Sequence, residues 1–248
     1  MTTSFENLVN DCLYNWLGYG NLNGPIWFMG MEEGGAEIWR QRTKTMTESL
    51  SIRRSFSLSM DFQHVWENLY NIPLETFKGP NVWRYMAAFL LSLEDIEPSS
   101  ENIREFVFEK KKLGKLNGNH FLCEFLPLPR QSNNSIDEYK EIWNTNSEYI
   151  NELAPKRFEL IENVLTKCNN VKLLVSYDKK FTDRIINNFD SNIECSWRNH
   201  SKPYKLIKLN ISDNRILYLL TTPFFGQGQI SYEGLKYAAQ TIKDNKII

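Results

Sequence analysis

The residues best placed to do chemistry in this 248-residue chain are two adjacent carboxylates at the end of an apolar run. In WFMGMEEGG, Trp27 to Gly35, the run breaks at Gly30 and is followed by Glu32-Glu33 and then Gly34-Gly35. Such a pair has two uses. It orients a water and stabilises positive charge growing at a reacting carbon, or it caps a helix beginning near Ala36, where the dipole favours acids. The glycines let another backbone approach and leave amides open to phosphate. Two later stretches have a similar make-up: EFLPLP, beginning at Glu124, and TTPFFGQGQIS, beginning at Thr221.

The elements that must position these stretches follow from periodicity. Leu8, Val9, Cys12, Leu13, Trp16 and Leu17 predict a helix over Phe5 to Leu17, and GYGNLNGP breaks it before a strand at Ile26 to Met31. Residues 36–76 show no single period beyond a helix around Phe62 to Tyr70. GPNVWRYMAAFLLSLEDI reads as a helix after a turn, and Ser100 to Lys111 as a second with a serine cap. HFLCEFLPLP is a strand stopped by prolines, and SIDEYKEIWNTNSEYINELAPKRFELIENVLTKC is helical, in two pieces broken near Pro155. VKLLVSY, apolar throughout, predicts a strand covered on both faces, with DKKFTDRIINNF as its helix. YKLIKLN, the turn ISDN, RILYLLTTP and a helix from Tyr232 to about Lys243 complete the chain. Strands separated by helices predict an α/β fold with a mostly parallel sheet between helical layers. Ligands gather past the carboxyl ends of such strands, where all three stretches fall.

Composition narrows the function classes. With 42% hydrophobic residues the chain can bury the core of a single domain spanning residues 1–248. A formal net charge of −1 exerts no global pull on a polyanion, so DNA has to be held by a local basic rim. Arg40 and Arg42, with Lys44, Arg53 and Arg54, and Arg130 after PLP, are the candidates for that rim, against a plain solvated loop. Four cysteines without a CxxC pair argue against zinc ribbons and iron–sulfur sites. His64, His120 and His200 are scattered, and His120 is either a core histidine or a pocket donor. No metal and no cofactor is predicted. No apolar run reaches membrane-spanning length, and the N-terminal pattern contains acids and amides, so a cytoplasmic protein with no membrane and no obligatory protein partner is expected.

Together the three stretches resemble the signature segments of the uracil-DNA glycosylase superfamily. GMEEGG is similar to that family's GxNPG, GEAPG or GQDPY, with Glu32 at the Asn or Asp position. EFLPL is similar to NLCPL with Glu124 for Asn, and TPF to HPS with Thr222 for His. The resemblance implies a three-layer α/β/α sandwich on a central, mostly parallel four-stranded sheet. It also implies a monofunctional glycosylase in which Glu32 orients the attacking water and Glu33 assists. Gly30, Met31 and Gly34 would line the substrate, Phe77 would stack on the base, and Asn81 would touch the sugar or cap its helix. Phe224, Phe225 or Gln227 would fill the gap left by a flipped nucleotide, unless the phenylalanines belong to the core.

The departures from the family set the expected substrate. A carboxylate only accepts, so Glu124 suits the exocyclic amine of cytosine better than uracil, unless it is a structural carboxylate at a strand end. Thr222 is a weaker donor to the leaving base than the family's histidine. The resemblance therefore points to a flipped, bulky modified cytosine, such as glucosylated 5-hydroxymethylcytosine, removed in defence against phage DNA. Uracil excision, or a module that binds nucleic acid or nucleotide without cleaving it, are the alternatives.

Overall fold

Four apolar runs become the centre of one sheet. The computed structural model describes residues 4–32, 43, 45–77, 81–130, 135–212, 215–226 and 228–248, with the backbone alone at Met31, Glu32 and Asn81. Its strands are β1 Gly18–Gly20, β2 Ile26–Glu32, β3 Ser59–Met60, β4 His120–Leu126, β5 Leu173–Ser176, β6 Asp190–Asn199, β7 Lys202–Ser212 and β8 Arg215–Thr221. The helices are α1 Phe5–Asn15, α2 Met46–Arg53, α3 Asn81–Leu93, α4 Ser100–Arg104, α5 Asn146–Lys167, α6 Lys179–Asn188 and α7 Tyr232–Asp244. Among the described residues no helix is long and apolar enough to cross a membrane.

The sheet runs β3-β1-β4-β2-β5-β8-β7-β6. Strands β4, β2, β5 and β8 are mutually parallel. Along each of them successive side chains enter opposite layers. Phe28, Leu122, Val175 and Leu220 pack under α3 and α7. Trp27, Met29, Cys123, Leu174 and Leu219 pack under α1, α5 and α6. Both faces are buried, which is why these strands read as continuous apolar runs. The chain leaves β2 for β4 on one side and returns past it to β5, so β2 and β5 flank the reversal point, the place where open α/β sheets bind ligands past the carboxyl ends of their strands.

Three expectations are corrected. The sheet is mixed and eight-stranded rather than four-stranded: β1 pairs antiparallel to β4, and β7 and β6 extend the other side as antiparallel strands. Strand β6 carries Asn, Ser and Glu and is largely exposed, so no apolar period marked it. The third correction concerns Pro155, which does not divide its helix; α5 is continuous over 22 residues. Pro155 and Asn151, whose carbonyl loses its partner, both face solvent, while Leu153, Ala154, Arg157, Phe158 and Ile161 hold the opposite side in the core. The helix instead begins at a capping box formed by Thr145 and Glu148.

Candidate active site

Register places four residues in one row across the parallel strands. Gly30 is paired with Glu124, and Met29 with Ser176, and Ser176 with Thr221. The next residues in β5 and β8, Tyr177 and Thr222, therefore continue the row Glu124, Gly30, Tyr177, Thr222. Each stands two residues beyond a side chain of the α3/α7 layer, Leu122, Phe28, Val175 and Leu220, so period-2 alternation turns all four to that face. Glu32 ends β2 opposite Leu126, roughly 7 Å along the strand from Gly30 at the ordinary rise per residue.

Gly30 leaves the space at the middle of the row to its neighbours. A Cβ built there would lie 2.5 Å from the Tyr177 hydroxyl and 3.1 Å from Glu124 Oε2. The carboxylate and the phenol therefore converge over one residue that has no side chain. Burial, and then the nearby charge of Glu124, push the Tyr177 pKa well above the ordinary phenol value, so its O–H stays a donor at neutral pH. The Tyr177 ring is stacked on Phe225 at 4.5 Å and 14°, and Phe225 is itself fully buried. Tyr85, one turn into α3, touches Phe225 at 6.1 Å and so brings the start of that helix to the same edge.

The end of β4 is fixed by Arg157 from α5. Its guanidinium, fully buried, donates to the carbonyls of Glu124 (2.8 Å), Phe125 (2.9 Å), Trp16 (3.0 Å) and Leu13. Two of these acceptors lie at the end of α1, where helix carbonyls have no partner within the helix. Glu124 N–H donates to Leu17 O at 2.9 Å, so the backbone carrying the carboxylate is held from both sides. On β5, Asp178 caps α6 through Phe181 N–H, and Thr182 bonds both Ser176 Oγ and Asp178 O at 2.8 Å. These bonds set the direction in which the chain leaves Tyr177.

The residues expected in the site divide into several groups. Gly30, Glu124 and Thr222 come together. Thr222 donates its hydroxyl to Pro223 O at 3.0 Å, which spends the proton on the backbone. Glu33, Gly34, Arg40, Arg42, Lys44 and Gln227 lie outside the described residues, as do the side chains of Met31, Glu32 and Asn81. Phe224 is 45% exposed beside the row, whereas Phe225 is core. Phe77 is buried edge-on between Trp66 and Trp83, at 5.2 Å from each, and the aromatic ring that stands in the row itself is Tyr177. Arg130 turns inward, donating to Ser135 O and Asn146 Oδ1 with its guanidinium 4.7 Å over the Tyr149 ring, so it is withdrawn from phosphate contact.

Arg53 is likewise buried, donating to Tyr70 Oη and Pro127 O over the Trp16 ring. His120 is a core histidine at the amino end of β4. Its Nε2 accepts from Gly114 N–H at 2.9 Å, and burial lowers its pKa to about 4. Local pattern in the sequence singles out neither Tyr177 nor Arg157. The signal for Tyr177 is its place at the end of VKLLVSY, level with Glu124 once the strands are aligned. Arg157 has none, because an arginine beside Lys156 in a helix that carries Glu152, Glu159 and Glu162 reads as surface.

Comparisons with protein-family models, curated proteins and solved structures give no match. The functional reading therefore rests on the row itself.

Proposed function

We propose that this chain is a monofunctional DNA glycosylase that hydrolyses the N-glycosidic bond of a flipped, modified pyrimidine. Its base is a bulky modified cytosine such as glucosylated 5-hydroxymethylcytosine, and its setting is defence against phage DNA. The observation that carries the reading is the meeting of the Glu124 carboxylate and the Tyr177 phenol over Gly30, two residues before Glu32. It pairs an acceptor for an exocyclic amine with a neutral donor for a base that departs with negative charge.

In the proposed reaction Glu32, assisted by Glu33, orients a water and takes its proton as the water oxygen bonds to C1′. The C1′–N1 bond breaks and its electron pair leaves with the base. Tyr177 donates to the base oxygen where that charge collects, and Glu124 accepts from the amine. The Tyr177 ring, backed by Phe225, is the aromatic group beside the base, and exposed Phe224 occupies the gap in the stack, offsetting an extrusion cost of a few kcal/mol.

The test is mass spectrometry of the small-molecule fraction after incubation with DNAs containing uracil, cytosine, 5-hydroxymethylcytosine or its glucosylated form. Release of a modified cytosine, abolished in Glu32→Gln, is expected. Rapid uracil release alone would replace the substrate. No release from any of them, with DNA binding retained, would make the chain a binding module.

A further inference from the structure

We propose that the β6–β7 hairpin and the first turn of α6 form a cationic arm that holds the DNA phosphate backbone beside the row. The inference deepens the reading above and rests on it for the choice of DNA as partner.

The position comes from register. Lys205 is paired with Thr221, the residue before Thr222, and β7 continues through Tyr204, Pro203 and Lys202 to the turn. The hairpin therefore stands roughly 10 Å past the carboxyl edge, at about 3.3 Å per residue. Its turn contains no glycine: His200 and Ser201 both adopt positive φ, at 44° and 66°, and Arg198 donates to Ser201 O at 3.3 Å across it. The base of the arm is rigid. Trp197 is stacked on Tyr204 at 5.5 Å and 10°, Tyr237 covers Trp197, and Lys202 Nζ donates to Gln229 Oε1 at 2.8 Å.

The charge pattern sets this region apart. From Cys195 to Ser212 the chain has no carboxylate, and it carries Arg198, Lys202, Lys205 and Lys208. Lys179 and Lys180 open α6 at the same edge, exposed, behind Asp178, whose carboxylate is committed to the cap. Several surface lysines elsewhere are matched, Lys110 with Glu105, Lys111 with Glu67 and Glu75, Lys115 with Asp61, Lys156 with Glu152, while Lys167, Lys172 and Lys246 have no ion pair among the described residues. Among the described residues none of Lys179, Lys180, Arg198, Lys202 and Lys205 meets a carboxylate. Arg198 and Lys205 are diagonal neighbours about 7 Å apart on the hairpin face toward α6, opposite the one that carries Trp197 and Tyr204. Unmatched cations on a rigid ribbon, in a chain of net charge −1, fit a repeating anion that enters along the edge. The acid in contact with the tip, Glu233, is paired with His200 at 3.2 Å.

The experiment is fluorescence anisotropy with a labelled duplex of roughly 20 base pairs, repeated across about 50 to 200 mM salt, where counterion release is read. A Lys179→Gln/Lys180→Gln/Arg198→Gln/Lys205→Gln variant is expected to bind at least about tenfold more weakly at the lowest salt. Its log–log salt slope should fall by about 3 to 4, at about 0.9 for each phosphate no longer neutralised. A Lys110→Gln/Lys156→Gln control should keep both affinity and slope. Lys205→Gln alone, which leaves the fold least disturbed, should lower the slope by about 1. An unchanged slope in the quadruple variant, or no duplex binding by the unmodified protein at low salt, overturns the arm. Absence of base release with the slope change intact overturns the glycosylase alone.

Discussion

The parallel centre of the sheet and its antiparallel margin place polar residues by opposite rules. Strands β2, β4, β5 and β8 are covered on both faces, and β5 is buried at all four positions. A polar side chain inside them would lose its water, at a few kcal/mol if left unpaired. Tyr177 and Thr222 accordingly follow the last residues of β5 and β8, and Glu124 stands two residues before the end of β4. Strand β6 is exposed over most of its length, with Ile193 61% in solvent, and polar residues cost little there. In the centre a single carboxylate is informative. In the margin only the sum is informative: from Cys195 to Ser212 there are cations and no acid, and among the described residues Arg198, Lys202 and Lys205 meet no carboxylate.

The comparison breaks most sharply at Glu32. Replacing it by Gln should slow base release by about a thousandfold, the scale of a lost acid–base group, and leave the urea midpoint unchanged. Equal losses of rate and stability would show that the carboxylate serves the fold. The next largest effect separates the two ends of β4. His120, buried at the amino end, has its pKa lowered from 6.5 to about 4. The unfolded chain takes up the proton first, so the stabilisation is complete above pH 6.5 and is lost as pH falls from 6.5 toward 4, by about 3 kcal/mol. Urea unfolding over that range should show the drop, and His120→Gln should lack it; parallel curves would place the imidazole in solvent.

Tyr177→Phe keeps the ring on Phe225 and removes only the hydroxyl over Gly30. Base release should fall about a hundredfold, the scale of one lost donor to a developing anion, with a change in unfolding free energy within about 1 kcal/mol. A fall in stability with no fall in rate would make the phenol a core group. The smallest effect belongs to the margin. Lys205→Gln should leave the rate of a saturated single turnover unchanged and act only through the salt dependence of binding, the signature of a backbone contact. A change in the saturated rate would move Lys205 from the arm into the reacting centre.

Much of this protein was legible in its sequence. The runs at Ile26, His120, Leu173 and Arg215 became strands because β-rich apolar segments of that length have to be covered on both faces, and the helices between them follow from period and caps. Gly30, Glu124 and Thr222 were legible as strand-end residues, since each interrupts an apolar pattern. The number of strands was not, because margin strands need no apolar face. The continuity of α5 through Pro155 was decided by which side faced water. Arg53, Arg130 and Arg157 look alike as letters, and burial alone made them internal braces, Arg157 on the backbone of Glu124. Tyr177 became the partner of Glu124 only through register, because two residues about 50 positions apart share one row when their strands align on β2. Local pattern determines which elements form; the alignment of distant strands determines which side chains meet, and no short window of sequence contains that.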